Sequence, residues 1–161
     1  LPSSQSMRET TFRGNVGAVI IDEVGKVLAF ERDDQSGAWQ FPQGGLEAGE
    51  EPNEAVYREI WEETGIKKAS LELLAVHPEW LAYEIPAELR KGGARGQVQK
   101  WFLFRFHGNE NEIDLLNAVE TEFKAWKWTT IQDLIKEIFH FRWPTYKKVC
   151  AEFAPFLMLT R

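Results

Sequence analysis

Apolar residues recur along this chain with two different periods, and each change of period marks an element. Residues 16–22 (VGAVIID) and 26–32 (KVLAFER) are apolar or β-branched runs around a short turn holding Gly25, which predicts a β-hairpin. Residues 39–45 (WQFPQGG) end in proline and paired glycines and predict a loop. Pro52 suits the first turn of a helix and Gly65 the residue past its end, so a helix is predicted over residues 52–64. A strand follows near residues 70–77, then an irregular stretch over 78–96 holding Pro86, Gly92, Gly93 and Gly96. In residues 98–106, Val98, Lys100, Phe102, Phe104 and Phe106 alternate with Gln99, Trp101, Leu103 and Arg105, the two-residue period of a strand. A polar segment (GNENEIDLLNAVET) leads to a strand over 123–129 and a short helix over 131–138. A last helix from near Pro144 carries Tyr146, Val149, Cys150, Phe153, Phe156 and Leu157 at helical spacing.

Strands followed by a helix, then further strands and helices, imply an α+β fold, an α/β/α sandwich with a mixed sheet between helices. Strand order is not legible at this level. With 161 residues the chain has room for one core, so residues 7–161 read as a single domain, and residues 1–6 as an expression remnant ahead of Met7. A 43% hydrophobic content with 7 Trp and 11 Phe excludes general disorder. One cysteine excludes an internal disulfide framework and a thiolate metal cluster, which fits a reducing, cytoplasmic setting; at its helical position Cys150 reads as a small buried hydrophobe. No apolar run reaches the ~20 residues of a membrane span. The net charge of −6 disfavours broad polyanion binding, so no DNA partner is expected. An anionic substrate therefore needs a local device, either a cation or a cluster of Arg and Lys.

Residues 44–66 (GGLEAGEEPNEAVYREIWEETGI) hold such a device. With Ala55 at zero and ~100° per residue, Glu62, Glu59 and Glu63 fall within one sector of the helix, and Val56, Tyr57, Ile60 and Trp61 occupy the packing arc. Clustered carboxylates repel one another, and a hard divalent ion such as Mg²⁺ or Mn²⁺ turns that repulsion into affinity. A solvated acidic edge is the alternative.

The surrounding pattern decides between them. Gly44, Glu50, Arg58, Glu59, Ile60, Glu62, Glu63, Gly65 and Ile66 match G-x5-E-x7-REUxEExGU, with U an aliphatic residue, and the segment resembles the box of the Nudix family. The resemblance implies metal-dependent hydrolysis of a nucleoside diphosphate linked to another group. It also implies Glu59, Glu62 and Glu63 as metal ligands, and Arg58 as a residue that ties down the box through Glu50. Glu63 or Glu62 is the first candidate for the general base and Glu122 the second.

Likeness extends beyond the box through FRGNVGAVI, EWLAYEIP, GQVQKWFLF, ETEFKAWKW and FHFRWPTYKKV. It points to the branch holding bacterial RNA 5′-pyrophosphohydrolases and asymmetric diadenosine tetraphosphate hydrolases, where a Tyr follows the box, as Tyr83 does here. The usual YRPNVG reads FRGNVG, which bears on Arg13. The resemblance implies a substrate that is the 5′ end of RNA or a nucleoside polyphosphate, held by Arg13, Arg32, Gly44, Gly45, Tyr83, Lys100 and Arg142. Phe141 is expected to stack on a base, and Glu122 to add a metal ligand from across the cleft. Lys100 is singled out because a cation on an apolar strand face needs an anion. His77, His107 and His140 lack metal-ligand spacing and read as structural. A non-catalytic binding module is the reading from another class, and a stimulating protein partner is left unidentified.

Overall fold

The computed structural model describes residues 11–90 and 93–158; the proposed remnant at residues 1–6 and Gly92 lie outside them. Among the described residues, eight strands join in one sheet: β1 (Phe12–Ile21), β2 (Val27–Arg32), β3 (Trp39–Gln40), β4 (Gln43–Gly45), β5 (Leu71–Val76), β6 (Leu81–Glu84), β7 (Gly96–Phe106) and β8 (Phe123–Thr129). The main order is β3-β2-β1-β7-β5, with β4 on β1, β6 on β7 and β8 on β2. β1 and β7 run parallel, from Phe12 opposite Gly96 to Ile21 opposite Arg105, and the other pairings are antiparallel.

Helix α1 (Pro52–Thr64) begins on Pro52 and stops at Gly65, whose φ of 79° is left-handed and whose N–H donates to Trp61 O at 2.9 Å. It packs Ala55, Val56 and Ile60 against Val16, Ile20, Phe30, Phe102 and Phe104 on one sheet face. The opposite face buries Val19, Ile21, Ala29, Trp101 and Leu103 under helices α2 (Ile131–Ile135) and α3 (Trp143–Phe153). Helices therefore cover both faces, as the element order implied. Fully burying such side chains is worth about 1.5–3 kcal/mol each.

Several expectations are corrected. The 39–45 segment is two short strands around Phe41 and Pro42, because Gln40 pairs with Phe30 and Gly44 with Val16. The irregular stretch over 78–96 contains β6, which pairs with the start of β7. The first strand begins at Phe12 rather than Val16, extended by its parallel pairing, and the helix over 131–138 ends at Ile135. Phe156 follows the helix in a 3-10 turn and is 38% exposed. Trp61, placed on the packing arc, is 48% exposed, while Glu59 and Glu63 are buried. The acidic edge of α1 thus turns inward. Cys150 packs on the α2/α3 side, and burial pushes its thiol up to about 12.

Candidate active site

Arg58, in the middle of α1, organises the carboxylates around it. Its Nε and Nη2 donate to Glu50 Oε2 and Oε1 at 2.7 and 2.8 Å, and Nη2 also donates to Gly45 O at 2.9 Å. Nη1 donates to Glu59 Oε1 at 2.9 Å and Glu62 Oε2 at 3.1 Å. The planar fork suits such bidentate pairing, and one guanidinium thereby fixes the loop before the helix and two carboxylates on it. Glu50, in contact with this cation, is held below the ordinary carboxylate range. Gly44 supplies the remaining wall: a Cβ built there would fall inside the Glu59 carboxylate, so any larger residue displaces that side chain.

Glu59, Glu62 and Glu120 each bring a carboxylate oxygen within 4.8 Å of the others. Glu120 enters from the loop before β8, which is pinned to the last turn of α1 by Glu120 N to Glu62 O and Asp114 N to Thr64 O, both 2.9 Å. Burial raises the Glu59 carboxyl, opposed by the Arg58 hydrogen bond; burial also raises Glu120, reinforced by the charges of Glu62 and Glu122. Glu63, 2% exposed, is raised well above the usual range by burial and then by the charges of Glu59 and Glu122. Its Oε2 has no hydrogen-bond partner among the described residues. An all-oxygen donor set, mutual repulsion and an orphaned buried carboxylate oxygen are what a hard divalent cation satisfies. The residues fit such an ion.

Glu63 and Glu122 also border a cleft of about 500 Å³, the size of a small-molecule site. Its floor is an amide network. Gln99 Nε2 donates to Asn15 Oδ1 at 2.8 Å and to Gln43 Oε1 at 3.2 Å, and Trp101 Nε1 donates to Gln99 Oε1 at 3.1 Å. Gln43 Nε2 donates to Gln97 Oε1 at 3.1 Å, and the Tyr83 hydroxyl donates to the same oxygen. Arg142, 8% exposed, donates from Nη1 to Gln43 Oε1 at 2.8 Å and to the Tyr83 hydroxyl at 3.3 Å. Its Nε is buried without a partner among the described residues. Phe141 lies under that guanidinium at 4.9 Å, 5.8 Å from Tyr83 and stacked on Phe139. One end of the cleft is thus carboxylate and the other aromatic with a buried cation.

Family comparison bears on this geometry directly, since the NUDIX domain matches residues 11–149. The chain belongs to the Nudix family. A curated relative from Rhodospirillum rubrum, named RNA pyrophosphohydrolase, is 43% identical over 149 residues, which is 90% of this chain and 88% of that one. Another of that name from Cereibacter sphaeroides is 40% identical over 151 residues, 91% and 93% of the two chains. Among solved structures, the Nudix fold is shared with a C. elegans Ap4A hydrolase binary complex at TM-score 0.67 and 24% identity, covering 89% of this chain and 99% of that one. It is shared equally with the E. coli dihydroneopterin triphosphate pyrophosphohydrolase, at TM-score 0.68, 23% identity and coverage of 88% and 97%.

Within this Nudix site, the sequence-derived residues divide. Glu59 and Glu62 lie in the three-carboxylate cluster, with Glu63 behind them on α1. Arg13, exposed at the rim, and Arg32, Gly44, Gly45, Tyr83, Glu122, Phe141 and Arg142 line the cleft. Lys100 is not among the residues lining the cleft; it alternates onto the face of β7 that carries Phe102 and Phe104, the face covered by α1. Glu120 was missed, its only signal being its place two residues before Glu122. Asn15, Gln43, Gln97 and Gln99 were missed as well. Amides alternating onto the same strand face as Trp101 were the available sign, because a buried amide must find partners. His77 Nδ1 accepts from Glu79 N at 3.1 Å and His107 pairs with Glu72 at 2.7 Å, both structural uses.

Proposed function

We propose that the chain is a Mg²⁺- or Mn²⁺-dependent pyrophosphohydrolase of RNA ends. In this reading it removes pyrophosphate from a 5′-triphosphate, or phosphate from a 5′-diphosphate, and leaves a 5′-monophosphate. The observation that carries this is that Glu63 and Glu122 line the same cleft as Arg142 and Phe141, with the Glu59, Glu62 and Glu120 cluster beside Glu63 on α1. Relatives named RNA pyrophosphohydrolase at 40% identity and more support the substrate assignment. Glu59, Glu62 and Glu63, with Glu120 or Glu122, hold the divalent cation, which when bound neutralises phosphate oxygens and acidifies water. Arg142 binds phosphate through the guanidinium edge that no carboxylate occupies, and Phe141 and Tyr83 orient a base beside it. The oxygen of water forms the new bond to phosphorus, the anhydride bond breaks, and the displaced phosphate or pyrophosphate leaves. Glu63 Oε2 or Glu62 takes the proton, with Glu122 second for that role. The reading places the protein in the cytoplasm; among the described residues no helix is long and apolar enough to cross a membrane.

Purified protein with Mg²⁺ and a 5′-triphosphorylated oligonucleotide is expected to yield pyrophosphate and a 5′-monophosphate end. Absence of release at any Mg²⁺ or Mn²⁺ concentration overturns the assignment. Diadenosine tetraphosphate, cut to ATP and AMP, is the parallel arm, and the ratio of the two kcat/KM values decides between them. Glu62→Gln and Glu63→Gln are expected to lower turnover by several orders of magnitude with the fold intact. Full activity in either removes it from the site.

A further inference from the structure

Two cations of the cleft, the buried Arg142 and the part-buried Arg32, are in opposite electrostatic states. Arg142 hydrogen-bonds neutral groups, Gln43 and the Tyr83 hydroxyl, and keeps an unpartnered Nε. Arg32 is occupied. Its Nε donates to Asp34 Oδ1 at 2.7 Å, Nη2 to Asp34 Oδ2 at 2.8 Å, and Nη1 to Gln40 Oε1 at 3.0 Å. The side chains are 16% and 49% exposed, so the carboxylate is the outer partner. Both residues line the same cleft as Glu63 and Glu122.

The backbone builds this pairing. The β2–β8 register shifts between Glu31 and Arg32 at the end of β2. There Asp33 N donates to Glu122 O at 2.8 Å, Arg32 N to Ala38 O at 2.9 Å, and Gly37 N to Glu31 Oε2 at 2.8 Å. The turn after β2 is thus fixed at several points, and it returns Asp34 onto the guanidinium two residues before it. A bidentate pair on one part-buried arginine uses the same two donors that a phosphate would. Phosphate oxygens and Asp34 therefore compete for one fork, and Asp34 adds a negative charge to the wall where a polyphosphate lies.

We propose that Asp34 is a specificity-determining residue: by occupying the fork of Arg32 it withholds that cation from the polyphosphate and favours ends carrying fewer phosphates. This rests on the reading of the cleft as a polyphosphate site. Removing the carboxylate frees Arg32, and the benefit grows with the charge of the ligand, because the longer chain gains both a new charge-assisted contact and relief from repulsion.

The test is a double-mutant cycle on Asp34→Asn and Arg32→Ala, read by calorimetric titration with imidodiphosphate and diimidotriphosphate in saturating magnesium. These probes resist hydrolysis and carry no RNA. Asp34→Asn is expected to bind diimidotriphosphate about tenfold tighter than the parent, one charge-assisted hydrogen bond's worth, with a smaller gain for imidodiphosphate and none when Arg32 is already alanine. Equal affinities for parent and Asp34→Asn overturn the proposal. So does a gain that persists undiminished in the Arg32→Ala background, which reports the general field alone. KM values for tri- and diphosphorylated oligonucleotides then separate the two readings. A coupled binding gain in a protein that leaves RNA ends intact removes the substrate assignment and keeps the role of Asp34. Turnover of RNA ends without coupling does the reverse.

Discussion

At Gly44 the space available to one residue is set by the carboxylate it abuts. Gly44→Ala forces Glu59 away from Arg58 and from the cluster, and is expected to reduce kcat at fixed magnesium by about a hundredfold or more, as misplacement by about 1 Å does. Raising magnesium should recover part of the loss; unchanged kcat and magnesium dependence would show that Glu59 is free to adjust. Glu63 gives a pH prediction. Its folded pKa lies above the ordinary value, so between the two the folded chain binds more protons than the unfolded. The stability it contributes is present below the ordinary carboxylate pKa and is lost as pH rises through the raised one. Denaturation in chelator from about pH 5 to 8 should show this decline, and Glu63→Gln and added magnesium should each flatten it. Identical slopes in parent and variant would assign the decline to other groups. Glu50, held low by Arg58, acts in the opposite sense and contributes to loss of stability in acid.

Between elements, the cleft depends on a helix far away in sequence. Tyr146 of α3 accepts the Phe41 N–H at 2.8 Å, which ties the β3–β4 segment carrying Gln43 and Gly44 to the helix that follows Phe141 and Arg142. Burial raises the Tyr146 hydroxyl above its usual range, so it stays protonated. Tyr146→Phe strands the Phe41 N–H and is expected to cost about 1–2 kcal/mol in urea denaturation. A loss below experimental error would mean that water or a shifted backbone replaces the bond. Elements also show where local pattern sufficed. Helix α1 was readable to its ends, because Pro52 and Gly65 act within a single turn of backbone. β3, β4 and β6 were not, because two to four residues carry no period of their own and become strands only against Val16, Phe30 and the start of β7.

For the molecule as a whole, a net charge of −6 and a cleft with few cations imply an end-specific contact rather than a track along RNA. If about two phosphates are neutralised, by Arg142 and Arg13, the affinity for a triphosphorylated oligonucleotide should fall with a log–log salt slope near about −1.4. Lengthening the oligonucleotide beyond a few residues should leave that slope unchanged. A slope that steepens with length would reveal a basic surface outside the cleft.

The sequence by itself determined α1 and the spacing of its three glutamates, which follow from the helical period, and its likeness to the Nudix box over 23 consecutive residues implied the family and the Arg58–Glu50 tie. Tertiary structure alone decided that the acidic edge faces inward, that Glu120 joins it, and that Gln97 lines the cleft with Gln99 buried behind it. The parallel pairing of β1 with β7 and the seating of α1 on one sheet face fix which side of each strand is which. A two-residue period specifies that neighbours point to opposite faces, but not which face closes over a core and which opens on a substrate.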